Sequence, residues 1–368
     1  MPTTATAAIL REVNEPLTLE EVQVSDPAEG EVLVKMVGAG ICHTDATGID
    51  GTIPLPLPSV LGHEGSGIVE AVGEGVTDLA PGDHVVLTFG HCGDCKYCSR
   101  DRPAYCEMFA PLNYFGTRMD GTVTMSQGDE DVHGCFFSQS SFSTYAIALA
   151  TNAIKVDKDL PLELLGPLGC GIQTGSGTVL NALNPQQGDS IAIFGMGGVG
   201  LSGVMGAKLA GCEQIIAVDI NDERLALARS LGATHTFNAK EHKDLVWDIM
   251  GVAAPGVDFA LDAVGTNEVI RQALEVTRSP ARIATVGFQG LQHDITIDQG
   301  HLLLGRELCG VIEGDANPKD FIPALTRHYA DGEFPFDKLI KTYKFSEINE
   351  AFEAAHNGSV VKPVIVFD

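Results

Sequence analysis

Basic residues are scarce in this chain of 368: Lys and Arg number 23 against 49 Asp and Glu, a formal charge of -26 at neutral pH. Without clustered cations there is no counterion release to drive association, and the acidity repels phosphate backbones and anionic lipid. Neither nucleic acid nor a membrane is expected as a partner, and the negative charge reads as a means of staying soluble. Low-complexity tracts are absent, as is any repeat at a period of roughly 20 to 50 residues. Residues 1–6 place no basic stretch ahead of an apolar core, so no secretory signal is expected and the cytoplasm is the expected compartment. The one long charge-free run, 190–207, is rich in glycine and reads as strand, turn and helix rather than as a membrane span.

What is present is apolar and turn-rich: 44% hydrophobic residues, 42 glycines and 20% charged residues, the composition of a globular protein. The length exceeds one ordinary core and predicts two domains. Nine cysteines are an odd number, and in a reducing compartment their clustering favours metal over disulfides. Four fall within fifteen residues, as Cys92, Cys95, Cys98 and Cys106. Cys-x2-Cys spacing lets thiolates meet one tetrahedral ion without a long chain excursion, and four thiolates close the shell against chemistry. This set reads as structural zinc.

A second set is dispersed. His63 stands beside Glu64 in a glycine-punctuated run, Cys42 opens Cys42-His43-Thr44-Asp45, and Cys170 lies in Gly166-Pro167-Leu168-Gly169-Cys170-Gly171. A lone histidine is more often a hydrogen-bonded core residue than a ligand. Two cysteines in turn-like segments change that, since three protein ligands leave a fourth position for water or substrate, the arrangement of catalytic zinc.

Short β-branched runs such as 31–37, 67–73 and 83–88, separated by Pro and Gly turns, predict antiparallel strands in the first half. Residues 127–132 read as a polar, flexible stretch, and 143–148 as a further strand. From about Gly171 the pattern changes. The apolar run 191–194 leads into Gly195-Met196-Gly197-Gly198-Val199-Gly200, helical spacing follows through Ala210, and 215–219 closes on Asp219. A glycine-rich hexamer between strand and helix, with an acid about twenty residues on, is the dinucleotide fingerprint. Its glycines let a pyrophosphate approach the helix N-terminus, and Asp219 would bond ribose hydroxyls and repel a 2′-phosphate, favouring NAD over NADP. Strands at 258–262 and 282–287 and helices at about 223–231 and 268–277 continue a doubly wound α/β sheet.

With these motifs in this order, the chain resembles the zinc-dependent alcohol dehydrogenases of the medium-chain dehydrogenase/reductase family along essentially its whole length. Within that family it looks most like the bacterial aryl-alcohol and geraniol dehydrogenases, on the segments 102–106, 137–142, 166–175 and 334–339. The resemblance implies a GroES-like β-rich catalytic domain (1–171, completed by 312–368), a Rossmann domain (172–311) between, a cleft at their junction, and a homodimer or homotetramer. It implies two zinc ions per chain, with Cys42, His63 and Cys170 at the catalytic one and Glu64 an acid able to visit it. Asp45 matches the carboxylate that orients the liganding histidine, and Thr44 the hydroxyl that accepts the alcohol proton. His43, Thr174, Arg224 and Lys362 match cofactor contacts, Lys362 as a cation for the pyrophosphate. Ile53, Phe89 and Phe136 match positions near the substrate pocket, where aromatic walls would suit a benzyl or allylic group. One position departs: many relatives carry a histidine shortly after the proton-accepting hydroxyl, and here it is Thr47.

The expected reaction is reversible oxidation of a primary alcohol to an aldehyde, zinc lowering the alcohol pKa and hydride passing to NAD. A zinc-free quinone or enone reductase of the same fold would have no use for Cys42, His63 and Cys170 together. A noncatalytic nucleotide-binding protein would need neither metal set.

Overall fold

The computed structural model describes residues 2–367. The chain divides into two units. One holds everything up to Cys170 together with Asn317–Ala330 and the chain from Asp337 on; the other holds Gly171–Ala316 and Asp331–Phe336.

The first unit is β-rich. Its central strand, Glu31–Gly40, reads Glu-Val-Leu-Val-Lys-Met-Val-Gly-Ala-Gly and is buried along almost its whole length. Near-continuous burial follows from its neighbours: it pairs antiparallel with Glu64–Val72, with Tyr145–Leu149 and, at its far end, with Lys362–Val366. The last pairing is why the chain's end belongs to this unit. His84–Leu87, Ala153–Lys155 and Ile340–Lys344 complete a seven-stranded sheet. A second sheet orders Ser59–Val60, Thr3–Leu10, Thr18–Val24, Met125–Gln127 and Glu130–Val132. The polar stretch expected to be flexible is thus a hairpin in that sheet. Arg11 fixes it, donating to Gln127 Oε1 at 2.6 Å and to Glu130 Oε2 at 3.0 Å, partners more than a hundred residues away that a local reading does not reach.

The second unit is a six-stranded sheet, parallel throughout, in the order His235–Asn238, Gln214–Asp219, Ser190–Phe194, Val257–Asp262, Thr277–Thr285, Arg306–Gly310. Numbered within the unit this is 3-2-1-4-5-6, the doubly wound order whose reversal point lies at the first strand. Ala192, Phe194, Ile216, Val218, Ala260 and Ile283 face helix residues such as Leu245, Ile249 and Leu274 in one apolar core. The helix expected to run to Thr277 ends at Glu275, because Thr277 begins a strand and its hydroxyl donates to Leu274 O at 2.7 Å. Among the described residues, no helix is long and apolar enough to cross a membrane.

Candidate metal and dinucleotide sites

Strand ends and short turns carry the three dispersed donors. Cys42 caps the helix His43–Ile49 just after the central strand, Cys170 follows the tight turn Gly166–Gly169, and His63 directly precedes the strand Glu64–Val72. One donor atom from each of Cys42, His63, Glu64 and Cys170 lies within 4.8 Å of the others. The carboxylate of Asp45, fully buried in the helix's first turn, ties two of these segments together. Its Oδ2 accepts from Cys42 N at 2.9 Å, and its Oδ1 accepts from Gly62 N at 3.1 Å and meets His63 Nδ1 at 2.9 Å. Thr44 Oγ1 stands 4.0 Å from Cys42 Sγ.

With Nδ1 held by Asp45, the imidazole presents Nε2, which is buried and makes no hydrogen bond. An orphaned ring nitrogen facing two sulfurs is costly unless a cation takes it. The thiol chemistry agrees: the Cys42 thiol is held well below its ordinary pKa, chiefly by its bond to Cys170, against the opposing effect of burial. Burial alone would lower His63, but the Asp45 charge and hydrogen bond raise it well above the usual histidine range. Soft, anionic donors around an unsatisfied nitrogen fit zinc.

Glu64 is fully buried and accepts from Lys362 Nζ at 2.8 and 2.9 Å, while the same ammonium donates to Ile41 O at 3.1 Å. Burial raises the Glu64 carboxyl even though the Lys362 charge opposes it. All three Lys362 donors are thus engaged beside the metal donors, so meeting a pyrophosphate requires it to release one. Gly40 makes room for the pair, since a Cβ there would overlap Glu64 Oε2.

Aromatic rings wall the same region. Phe136 meets the His63 ring edge-on at 5.6 Å, and Phe137 stacks on it at 4.5 Å. Phe109 and Tyr114 lie 6.3 and 5.5 Å from Phe137, and Phe89 lies 5.8 Å from Phe109. The sequence reading names none of Phe137, Phe109 and Tyr114 as a pocket residue, although Phe137 adjoins Phe136 and opens the segment 137–142 that carries the resemblance. Ile53 is half-buried, its N–H bonded to Thr47 O, and His43 is exposed. Thr47 is buried and donates its hydroxyl to Thr44 O at 2.8 Å, so it is not available to carry a proton outward.

The four clustered cysteines close on one another. Their sulfurs lie 3.4 Å (Cys92 to Cys106), 3.9 Å (Cys92 to Cys98) and 4.0 Å (Cys95 to Cys106) apart. A regular tetrahedron of zinc–sulfur bonds would separate sulfurs by about 3.8 Å. Amide N–H groups of Cys92 and Met108 donate to Cys106 Sγ at 3.3 and 3.4 Å, as they would to a thiolate. Bonds from the Cys98 and Glu107 backbone pull Cys95 down to about 6, while burial pushes Cys98 up to about 11.

In the second unit the first strand ends at Phe194 and the helix Gly198–Leu209 begins four residues on. Gly195 has φ +89°, and a Cβ at Gly200 would overlap Gly195 O, so these two glycines serve the turn and its packing. Gly197 differs: a Cβ there meets nothing within 4 Å, the open side a pyrophosphate needs. Gly198 and Val199 start the helix, and Asp219 closes the neighbouring strand, its Oδ2 accepting from Met196 N at 2.5 Å and its Oδ1 from Asn221 N at 2.9 Å. Thr174 is half-buried in Gly171–Gly177, and Arg224 lies in the first turn of Asp222–Leu231.

A β-rich unit with a closed four-thiolate set and an open Cys-His-Cys set, together with a doubly wound unit bearing a dinucleotide loop, defines the zinc-binding dehydrogenases. Family models agree: residues 28–158 match the alcohol dehydrogenase GroES-like domain and 198–328 the zinc-binding dehydrogenase domain. The geraniol dehydrogenase of Castellaniella defragrans is 46% identical over 365 residues, covering 99% of this chain and 98% of that protein. Solved structures agree as well. Benzyl alcohol dehydrogenase from Acinetobacter calcoaceticus superposes with a TM-score of 0.96 at 45% identity, and an alcohol dehydrogenase zinc-binding domain protein from Burkholderia ambifaria with 0.98 at 46%, each covering both chains completely. The chain belongs to the zinc-dependent medium-chain alcohol dehydrogenase family. It is an oxidoreductase that oxidises an alcohol, with two metal sets compatible with two zinc ions and NAD the cofactor typical of its family.

Proposed function

We propose that the substrate is a primary aromatic or allylic alcohol, benzyl- or geraniol-like, oxidised reversibly to its aldehyde with hydride transfer to NAD. Cys42, His63 and Cys170 hold the catalytic zinc, and Cys92, Cys95, Cys98 and Cys106 the structural one. The catalytic ion supplies Lewis acidity, which lowers the pKa of an alcohol hydroxyl beside it. Thr44 relays the hydroxyl proton, accepting it at Oγ1 while its own hydroxyl proton passes to water, Asp45 fixes the His63 ring and tautomer, and Glu64 is an alternative donor once Lys362 releases it. The ring system of Phe136 and Phe137, continued through Phe109 to Phe89 and joined by Ile53, supplies an apolar wall for a flat unsaturated group. In the cofactor set, the loop of Gly195, Gly197, Gly198, Val199 and Gly200 receives the pyrophosphate, Gly197 on its open side and Gly195 and Gly200 by shaping the turn, Asp219 and Arg224 face the adenosine ribose, and His43, Thr174 and Lys362 complete the contacts. The working form is a cytoplasmic homodimer or homotetramer.

The buried, unpartnered His63 Nε2, in a ring with a nitrogen within 4.8 Å of two sulfurs and a carboxylate, carries the metal assignment, and the Phe137 ring stacked on that imidazole at 4.5 Å carries the substrate class. A panel of benzyl, cinnamyl, geranyl and short aliphatic alcohols, followed at NADH absorbance with NAD and NADP in parallel, tests it. The unsaturated alcohols should exceed ethanol in kcat/KM by about a hundredfold or more, since several methylene equivalents of apolar contact separate them. Equal or better turnover of ethanol, or a preference for NADP, would reject the substrate and cofactor assignments.

A further inference from the structure

Asp45 connects Cys42 to His63, and a buried amide ties His63 to the backbone just before the third donor, Cys170. Gln139 is fully buried, and its Nε2 donates to His63 O at 2.9 Å and to Thr88 O at 3.0 Å, while its Oε1 accepts from Gly65 N at 3.1 Å. The amide orientation follows from the partners, because the reverse would set an oxygen against two carbonyls. Thr88, itself fully buried, then donates its hydroxyl at 2.6 Å to Gly169 O, the carbonyl immediately before Cys170. The path from His63 to Cys170 therefore runs through one side-chain amide and one hydroxyl, with both Gln139 N–H donors used.

The segment that delivers Gln139 is held in an unfavourable backbone. Phe137, Ser138 and Ser140 have φ of +51°, +52° and +44°, left-handed values that non-glycine residues seldom adopt. Such strain persists only where surroundings over-determine it, and it gathers at functional sites. Here Ser140 Oγ donates to Val60 O at 2.6 Å and accepts from Phe136 N at 2.9 Å, and Asn152 Nδ2 donates to Phe137 O and Ser138 O at 3.2 and 3.3 Å. The contorted chain puts Phe137 flat on the His63 ring and Gln139 on the His63 carbonyl at once.

We propose that Gln139, acting through Thr88, is a positioning residue that sets the separation of His63 from Cys170, as Asp45 sets that of Cys42 from His63. The proposal rests on the reading of Cys42, His63 and Cys170 as one zinc site. Metal bonds tolerate displacements of a few tenths of an ångström, so a ligand pair left loose loses affinity before it loses its fold.

The test compares Gln139→Met, which keeps bulk and removes all three bonds, with the near-isosteric Thr88→Val and with Val34→Ala, a cavity at a buried core residue that makes none of these bonds. Zinc release to a chelator is timed with ions counted per chain, and the visible spectrum is recorded with cobalt(II) substituted at the catalytic position. Gln139→Met and Thr88→Val should each lose one ion about tenfold or more faster than wild type, keep the second ion at the wild-type rate, and shift the cobalt bands. Val34→Ala should lower Tm and change neither readout. Wild-type release and wild-type cobalt bands in Thr88→Val, or in Gln139→Met at a lowered Tm, would overturn the proposal; if Gln139→Met fails to fold, Thr88→Val decides alone. Cys42→Ser, run beside them, separates the two levels: if it keeps both ions, the ligand reading itself falls and the clamp with it.

Discussion

His63 shows how much chemistry is fixed by neighbours rather than by the ligand. Asp45 leaves Nε2 as the free donor, and Asp45→Asn, which removes the charge and one acceptor, should lower kcat by about 10- to 100-fold and speed metal loss. Turnover and metal content measured on the same preparation check this. Lys362 permits a sharper distinction. Its Nζ is fully engaged with Glu64 and Ile41, so Lys362→Met should cost about 3 kcal/mol in urea unfolding by breaking a buried pair, with much of that regained in Glu64→Gln/Lys362→Met. A variant of unchanged stability whose only defect is a raised KM for NAD would make Lys362 a cofactor contact alone. The sequence exposed residues of both clusters that the structure brings together, since Cys-x2-Cys spacing and a His-Glu pair among glycines are local signs. It did not expose Gln139 and Thr88, which act through backbone carbonyls 76 and 81 positions away and leave no local pattern.

Among the elements, the glycine loop separates two reasons for having no side chain. Gly200→Ala would drive a Cβ into Gly195 O, so both Tm and the KM for NAD should suffer, with a loss of about 1–3 kcal/mol. Gly197→Ala meets no protein atom within 4 Å and should raise the KM for NAD with Tm almost unchanged. Thermal melts and NAD titrations of the two variants settle the contrast. The hairpin at 125–132 illustrates the opposite case, strands whose pairing depends on a distant cation. Arg11 bonds Glu20 at 2.7 and 2.9 Å and holds its carboxyl down to about 2. A depressed carboxyl pKa means that the contribution is complete above the ordinary value near 4.5 and fades as pH falls toward 2. The stability gap between wild type and Arg11→Met, at most about 1 kcal/mol for so exposed a pair, should therefore hold at pH 7 and narrow as pH falls from 4.5 toward 2 in denaturant melts. A gap that widens in acid would contradict it.

For the molecule as a whole, the doubly wound unit was legible because strand, glycine turn and helix follow one another along the chain. The return of the last strand to Glu31–Gly40 was less so: the last fifty or so residues are expected to pack back on the amino-terminal domain, but nothing within Lys362–Val366 states its partner. A charge of -26 on one chain implies self-repulsion, and Tm should rise as sodium chloride increases from about 0.05 to about 0.5 M, where screening shortens to a few ångströms. Central to everything is that two separate donor sets hold ions and that only the open one supports turnover. Zinc counted per chain, in wild type and in Cys42→Ser, tests this most directly. Two ions in the wild type, falling to one in a folded variant without benzyl alcohol activity, is the expected result; a variant that keeps two ions and turns over would contradict it.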